Sequence, residues 1–238
     1  RPIFGKIRKE DFSNSFKGPY VVLPAVKSLP YGNKPNQEFN TPLYNGTKVV
    51  GPEKFFDLTQ KAILGIYPPA ERMKWLRENL MPDLSEILRE LFVNTHKHDR
   101  SDINSEFFSS NFRGVIFNKV DIDAKRFDQI SRSARLRLVY FLSQWKPEND
   151  RKASFIDVTV IDSGPGYGRR WTGKDYPELQ FEEEADAIVN CFKKHHSTDK
   201  RQSSGSGLSN VLRDLERIGG WFRLRTGRVL VEKEFFNM

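Results

Sequence analysis

The chain alternates between two hydrophobic periods. Tyr20–Val26 reads as a strand, and Lys54–Ile63 reads as a helix. Between them, residues 28–52 are rich in Pro, Gly and Asn and read as extended coil. Ala70–Leu80 predicts a helix that stops before Pro82, because the residue preceding proline is biased away from helical backbone. A second helix then starts at Asp83, which with Glu86 resembles a capping box. Its apolar stripe is Leu84, Ile87, Leu88, Leu91 and Phe92. Glu90, Asn94 and His98 follow one another at i+4 steps beside that stripe. The helix can bury one face while its edge lines a pocket.

The middle of the chain is strand-like. Arg113–Val120, Leu136–Trp145 and Ser154–Ile161 are predicted strands, and the last leads directly into a turn at Asp162. Residues 168–204 are polar, with a helical stretch at Phe181–Phe192. A final helix spans Gly207–Ile218, carries Leu208, Val211, Leu212, Leu215 and Ile218 on one side, and ends at Gly219-Gly220. Trp221–Arg225 and Arg228–Glu234 then alternate as a hairpin across Thr226-Gly227. Together these predict an α/β two-layer sandwich, a mixed β-sheet with helices on one face.

Composition narrows this picture. The 238 residues include nineteen Phe and four Trp, enough for a sizeable core. No run approaches the roughly 20 apolar residues of a membrane helix, so no membrane insertion is expected. The chain opens at Arg1 with no secretory pattern, which suggests a missing upstream segment. Cys191 is the single cysteine, which rules out an internal disulfide and fits a reducing, cytoplasmic setting. The net charge of +8 favours anionic partners, but the basic residues are scattered and form no long basic arm. Nucleic acid is therefore a less favoured partner.

Three short segments carry candidate chemistry. Glu90 and Asn94 place a carboxylate and an amide on one helical edge. The turn Asp162-Ser-Gly164-Pro-Gly166 follows an apolar strand and can bring backbone close to a ligand. Gly205-Ser206-Gly207-Leu208 opens a helix, where unpaired N–H groups can hold phosphate. Ser203, Ser204 and Ser206 can add hydroxyl donors, and Lys200 can add a charge. The pair His195-His196 lacks the further spaced ligands of a zinc site.

In this order the segments resemble the N, G1 and G2 boxes of the GHKL superfamily (gyrase, the ninety-kilodalton heat-shock chaperone, histidine kinases and MutL), whose nucleotide fold is the Bergerat fold. The resemblance covers roughly residues 70–235. Residues 1–69 read as an extension outside it, about 99–153 as an insert that could carry partner contacts, and about 168–204 as an ATP lid. It implies ATP and Mg2+ as cofactors. Glu90 would polarise the attacking water, and Asn94 would be a magnesium ligand. Asp162 would accept from the adenine amino group, with Gly164 and Gly166 letting backbone approach the base. Lys200, Ser204, Gly205, Ser206, Gly207 and Leu208 would surround the phosphates.

The expected function is ATP binding with slow, Mg-dependent hydrolysis in a domain of a larger protein. Lid closure would switch contacts with a protein partner or a second copy. Alternative readings are a histidine or serine protein kinase module, a non-catalytic nucleotide-binding interaction module, and a nucleic-acid-processing ATPase. The G2-like segment is thin in glycine, and no histidine lies outside the N-box and lid to serve a phosphoacceptor helix.

Overall fold

The computed structural model describes residue 16 and residues 20–27, 41–67, 73–133, 136–144, 152–193 and 207–235. In chain order the elements are β1 (Tyr20–Lys27), β2 (Tyr44–Asn45), β3 (Lys48–Val49) and α1 (Pro52–Ile66). Next come α2 (Met73–Trp75), a π-helical turn (Leu76–Leu80), α3 (Met81–His98) and β4 (Asn111–Ile122). After these lie α4 (Ala124–Ser133), α5 (Leu136–Ser143), β5 (Ala153–Asp162), α6 (Tyr167–Thr172) and α7 (Phe181–Cys191). The chain closes with α8 (Gly207–Ile218), β6 (Trp221–Thr226) and β7 (Val229–Glu234).

The main sheet has the order β1-β4-β5, with β4 in the centre. Its register runs from Val21↔Phe117 on one side to Val120↔Phe155 on the other, without a bulge. Alternate strand residues share a face. Val21, Leu23 and Ala25 of β1 therefore join Val115 and Phe117 of β4 in one core, with Val158 and Val160 of β5 at its edge. Against this face pack Phe55, Leu58, Ala62 and Ile63 of α1 and Met81, Leu84, Leu88 and Phe92 of α3. Phe92 is fully buried, and truncating it to alanine costs roughly 3–5 kcal/mol. The opposite parity, Val120, Ile122 and Phe155, meets Phe127 of α4, Phe141 and Leu142 of α5, and Trp221 of β6. A third cluster joins Ile87 of α3 to Val211 and Leu215 of α8 and to Phe235.

Several expectations are corrected. Every described strand pairing is antiparallel, where a mixed sheet was expected. Helices cover one face of the main sheet, but α4 and α5 also cover the far end of the other. Leu136–Ser143 is a helix and not a strand, because Leu138, Phe141 and Leu142 meet the Val120, Ile122 and Phe155 face of the sheet at helical spacing. The helix predicted to stop before Pro82 continues through a π turn into α3, in which the Met81 N–H reaches back to Leu76 O. Pro82 follows the π turn directly, in the first turn of α3. Asp83 forms no side-chain cap and instead pairs with Arg217 of α8 at 2.5 Å. The β6–β7 turn is Gly227-Arg228, one residue later than expected, with Gly227 at φ 56°.

The packing also crosses the boundaries drawn in the sequence. β1 and α1 share one core with α3 and β4, so no break in packing falls at residue 69. The central strand β4 lies inside the 99–153 segment. The region read as a lid begins with two packed helices, since Leu179, Ala187 and Ile188 are buried. Among the described residues no helix is long and apolar enough to cross a membrane.

Candidate functional site

Helix α3 is the rail on which the site is built. Its apolar stripe faces the sheet and α8, which leaves Glu90 and Asn94 half-buried at the edge between them. Helix α8 lies antiparallel to α3. Its last turn reaches Asp83 through Arg217, and its first residue, Gly207, lies against Glu90 and Asn94. A side chain at residue 207 would place Cβ 2.5 Å from Glu90 Oε2 and 3.9 Å from Asn94 Nδ2. A side chain here would have to displace the Glu90 carboxylate. Glu90 Oε1 accepts from Arg89 Nη1 at 3.2 Å, which leaves Oε2 directed toward the start of α8. The first N–H groups of α8 have no intrahelical acceptor and carry partial positive charge. Leu208 contributes backbone here, because its side chain is buried in the core.

Asn94 allows the fit to a magnesium-bound polyphosphate to be tested. Its Nδ2 is buried and has no hydrogen-bond partner among the described residues. Such an orphan is costly unless something outside the chain satisfies it. The amide can donate to a phosphate oxygen or, turned over, present Oδ1 to a hard cation that keeps several waters. The donor set fits. Lys200, Ser203, Ser204, Gly205 and Ser206, with His195 and His196, lie outside the described residues.

The Asp162 turn sits at the other end of α3. Between residues 90 and 99 the helix advances about 13 Å at 1.5 Å per residue. Asp162 Oδ1 accepts from the Gly164 N–H at 2.8 Å, an Asx-type turn that fixes the carboxylate after β5. Gly166 has φ 84°, and its Cα lies against Thr226, whose Oγ1 accepts from the Tyr167 N–H at 2.9 Å. Gly164 lies against Asp99, the residue that caps α3. Asp99, Tyr167 and Thr226 are site residues that no motif marked.

Beneath the turn is a buried polar centre. Arg113, 1% exposed, is the cross-strand partner of Asp162 and stacks on the Tyr44 ring with its centroid 5.5 Å away. His96 bonds Tyr44 Oη at 3.0 Å through Nδ1 and accepts from Arg100 Nη1 at 3.3 Å through Nε2. That acceptor role requires the neutral ring with its proton on Nδ1. Burial, reinforced by Arg100, Arg113 and Lys97, lowers the His96 pKa to about 4. Arg170 of α6 donates through Nη2 to His98 O and to Ser101 O, tying α6 to the end of α3. Burial pushes the Asp162 carboxyl up, opposed chiefly by the Gly164 N–H. Asp99 is raised to about 8, by burial first and then by the Asp162 charge. Burial also holds the Cys191 thiol up at about 12, which removes it as a nucleophile.

The described part of the segment read as a lid is clamped. Glu184 of α7 is 1% exposed and accepts from Tyr176 Oη at 2.7 Å and from Arg228 Nε at 2.8 Å. Its pKa is nonetheless lowered, because these donors outweigh the burial that alone would raise it. Gly168 and Gly227 both lie against this side chain, so α6, α7 and the β6–β7 turn form one packed corner. The described start of the segment read as an ATP lid at about 168–204 is therefore packed. Comparison with family models, with curated proteins and with solved structures finds no significant match to the chain.

Proposed function

We propose that this chain is an ATP-binding, slowly hydrolysing switch domain of the GHKL type, with its helices and sheet arranged as a Bergerat-like sandwich. One observation carries the reading: Gly207, at the phosphate-binding end of α8, lies against both Glu90 and Asn94. Segments more than a hundred residues apart in sequence meet in the pairing that ATP chemistry requires. The Asp162 turn, at the far end of the same helix, supports a base subsite about one nucleotide away.

Residue roles follow from chemistry. Asp162 accepts a hydrogen bond from the adenine amino group, which guanine replaces with a carbonyl. The N–H groups of α8 receive the phosphates. Asn94 would hold magnesium, which would supply charge neutralisation over those phosphates. Glu90 Oε2 takes a proton from water as the water oxygen bonds to the γ-phosphorus. The bond to the β–γ bridging oxygen breaks, and ADP and inorganic phosphate leave. Nucleotide at the start of α8 biases the domain between two states, which is the switch.

Calorimetry and phosphate release test this together. ATP with magnesium binds, GTP binds at least tenfold more weakly, and phosphate appears slowly without added protein. Gly207→Val abolishes binding, because the added side chain fills the space at Glu90. Glu90→Ala keeps binding and loses about 10²–10⁴-fold in turnover, as expected for loss of a general base. Equal affinity for ATP and GTP, or full turnover in Glu90→Ala, overturns the assignment.

A further inference from the structure

Ser163 stands between Asp162 and Gly164 and marks where the β4–β5 ladder ends. The last paired residues are Arg113 and Asp162. One step further along β4, the Phe112 N–H donates to Ser163 Oγ at 2.9 Å. In a continued antiparallel ladder the main-chain oxygen of residue 163 would take that hydrogen. The hydroxyl stands in for it. Phe112 keeps an acceptor, as a strand N–H requires, while the main chain after Asp162 leaves the sheet. The turn that carries Asp162 therefore departs from a fixed point.

Contacts at successive residues then define where the Asp162 carboxylate stands. The ladder to Arg113 holds its main chain. Ser163 holds the next residue to β4. The Gly164 N–H holds Asp162 Oδ1 at 2.8 Å. Gly164 itself lies against Asp99, where an added Cβ would come within 2.6 Å of Oδ1, so the turn has no room to shift toward α3. At the far end the Tyr167 N–H donates to Thr226 Oγ1 at 2.9 Å. The turn is thus clipped by a hydroxyl at each end, while Asp162 and Ser163 stay exposed to solvent. A carboxylate that is both fixed and accessible is prepared for a ligand, because the cost of ordering it falls on folding and not on binding.

We propose that Ser163 is a positioning residue for base recognition: its hydroxyl, clipped to the Phe112 N–H, sets the end of β5 so that the Asp162 carboxylate is aimed at the amino group of an adenine-type base. The choice of ligand rests on the function proposed above, whereas the clip does not.

Two measurements on the full chain test this. Hydrogen exchange without nucleotide reads the clip directly. The Phe112 amide is protected in wild type and in Ser163→Thr, which keeps the hydroxyl, and exchanges at least about tenfold faster in Ser163→Ala. Because Ser163 is exposed, this truncation opens no cavity. Calorimetry in the presence of magnesium then compares ADP with GDP, whose base has a carbonyl in place of the amino group. Misplacing one hydrogen bond lowers ADP affinity about five- to tenfold in Ser163→Ala. GDP affinity stays within about twofold, since guanine makes no such bond. Ser163→Thr restores the wild-type preference for ADP. Equal exchange of the Phe112 amide in wild type and Ser163→Ala overturns the clip. Faster exchange with ADP and GDP affinities that fall alike, or that both stay unchanged, overturns the role of Ser163 and leaves the nucleotide reading standing. A wild-type protein that protects the Phe112 amide but binds no ADP overturns the nucleotide reading, and base recognition through Ser163 with it.

Discussion

Glu184 and Asp99 are carboxylates taken from water in one molecule, and they meet opposite fates. Glu184 enters the corner of α6, α7 and the β6–β7 turn, where Tyr176 and Arg228 supply donors to both of its oxygens. It is held ionised, below its ordinary pKa. Asp99 enters the corner of α3 and the Asp162 turn, where the Asp162 charge adds to the burial that raises its pKa. It is held protonated. Burial pushes both groups the same way, so the partners decide the outcome. The first corner is satisfied and acts as structure. The second keeps an unresolved like-charge interaction beside an exposed turn, an arrangement that structure alone does not require.

The largest effect should come from breaking the satisfied corner. Glu184→Ala leaves the Tyr176 hydroxyl and the Arg228 guanidinium without their acceptor and opens a space between Gly168 and Gly227. Loss of charge-assisted hydrogen bonds at a buried carboxylate costs about 3 kcal/mol. Denaturant unfolding should show this at pH 7, with an unchanged urea slope. Glu184→Gln should recover part of it, because its amide oxygen still accepts one bond. Equal stability of Glu184→Ala and wild type would show that the corner is held by its apolar residues alone.

Asp99→Asn should have an effect of opposite sign that grows with pH. The folded protein keeps Asp99 protonated up to about pH 8, whereas the unfolded chain ionises it near 3.8. The folded state therefore binds more protons between these values. The contribution of Asp99 is fully present below pH 3.8 and is lost as pH rises to 8. The asparagine has no charge to bury, so relative to wild type it should gain stability steadily as pH rises from 4 to 8. Thermal unfolding at both pH values measures the difference. A constant offset with no pH slope would mean that Asp99 ionises freely in the folded protein.

What was legible in the sequence follows the same division. The helix from about Gly207 to Ile218 was readable, because Val211 and Leu215 repeat at helical spacing and Gly219, at φ 63°, closes it. Glu90 and Asn94 were readable because a helical edge is a local property. Leu136–Ser143 was not, since a short apolar run has no period of its own until its neighbours are known. The anchors of α7 were hidden for a related reason. Leu179, Ala187 and Ile188 are few among many polar residues, and only their burial reveals a packed corner. Asp99 carried no signal at all. Its role arises from the contact between the cap of α3 and Gly164, which residue spacing cannot encode.

The smallest effect tests the same comparison from the basic side. His96 is the counterpart of Asp99, a group held neutral by its surroundings, but here the pKa is lowered to about 4. The folded protein refuses a proton that the unfolded chain accepts below about 6.5. Its contribution is therefore present above 6.5 and is lost as pH falls to 4, the reverse of Asp99. Between pH 4 and 6.5 the two slopes oppose each other and flatten the wild-type curve. His96→Phe keeps a ring beside Tyr44 and loses the hydrogen bond to its hydroxyl, at a cost of about 1 kcal/mol at pH 7. It also removes the acid-side loss. Relative to wild type, the variant should recover as pH falls from 6.5 to 4, whereas Asp99→Asn should worsen over that range. Unfolding curves of the two variants that run parallel from pH 4 to 6.5 would show that one of these groups is charged in the folded state.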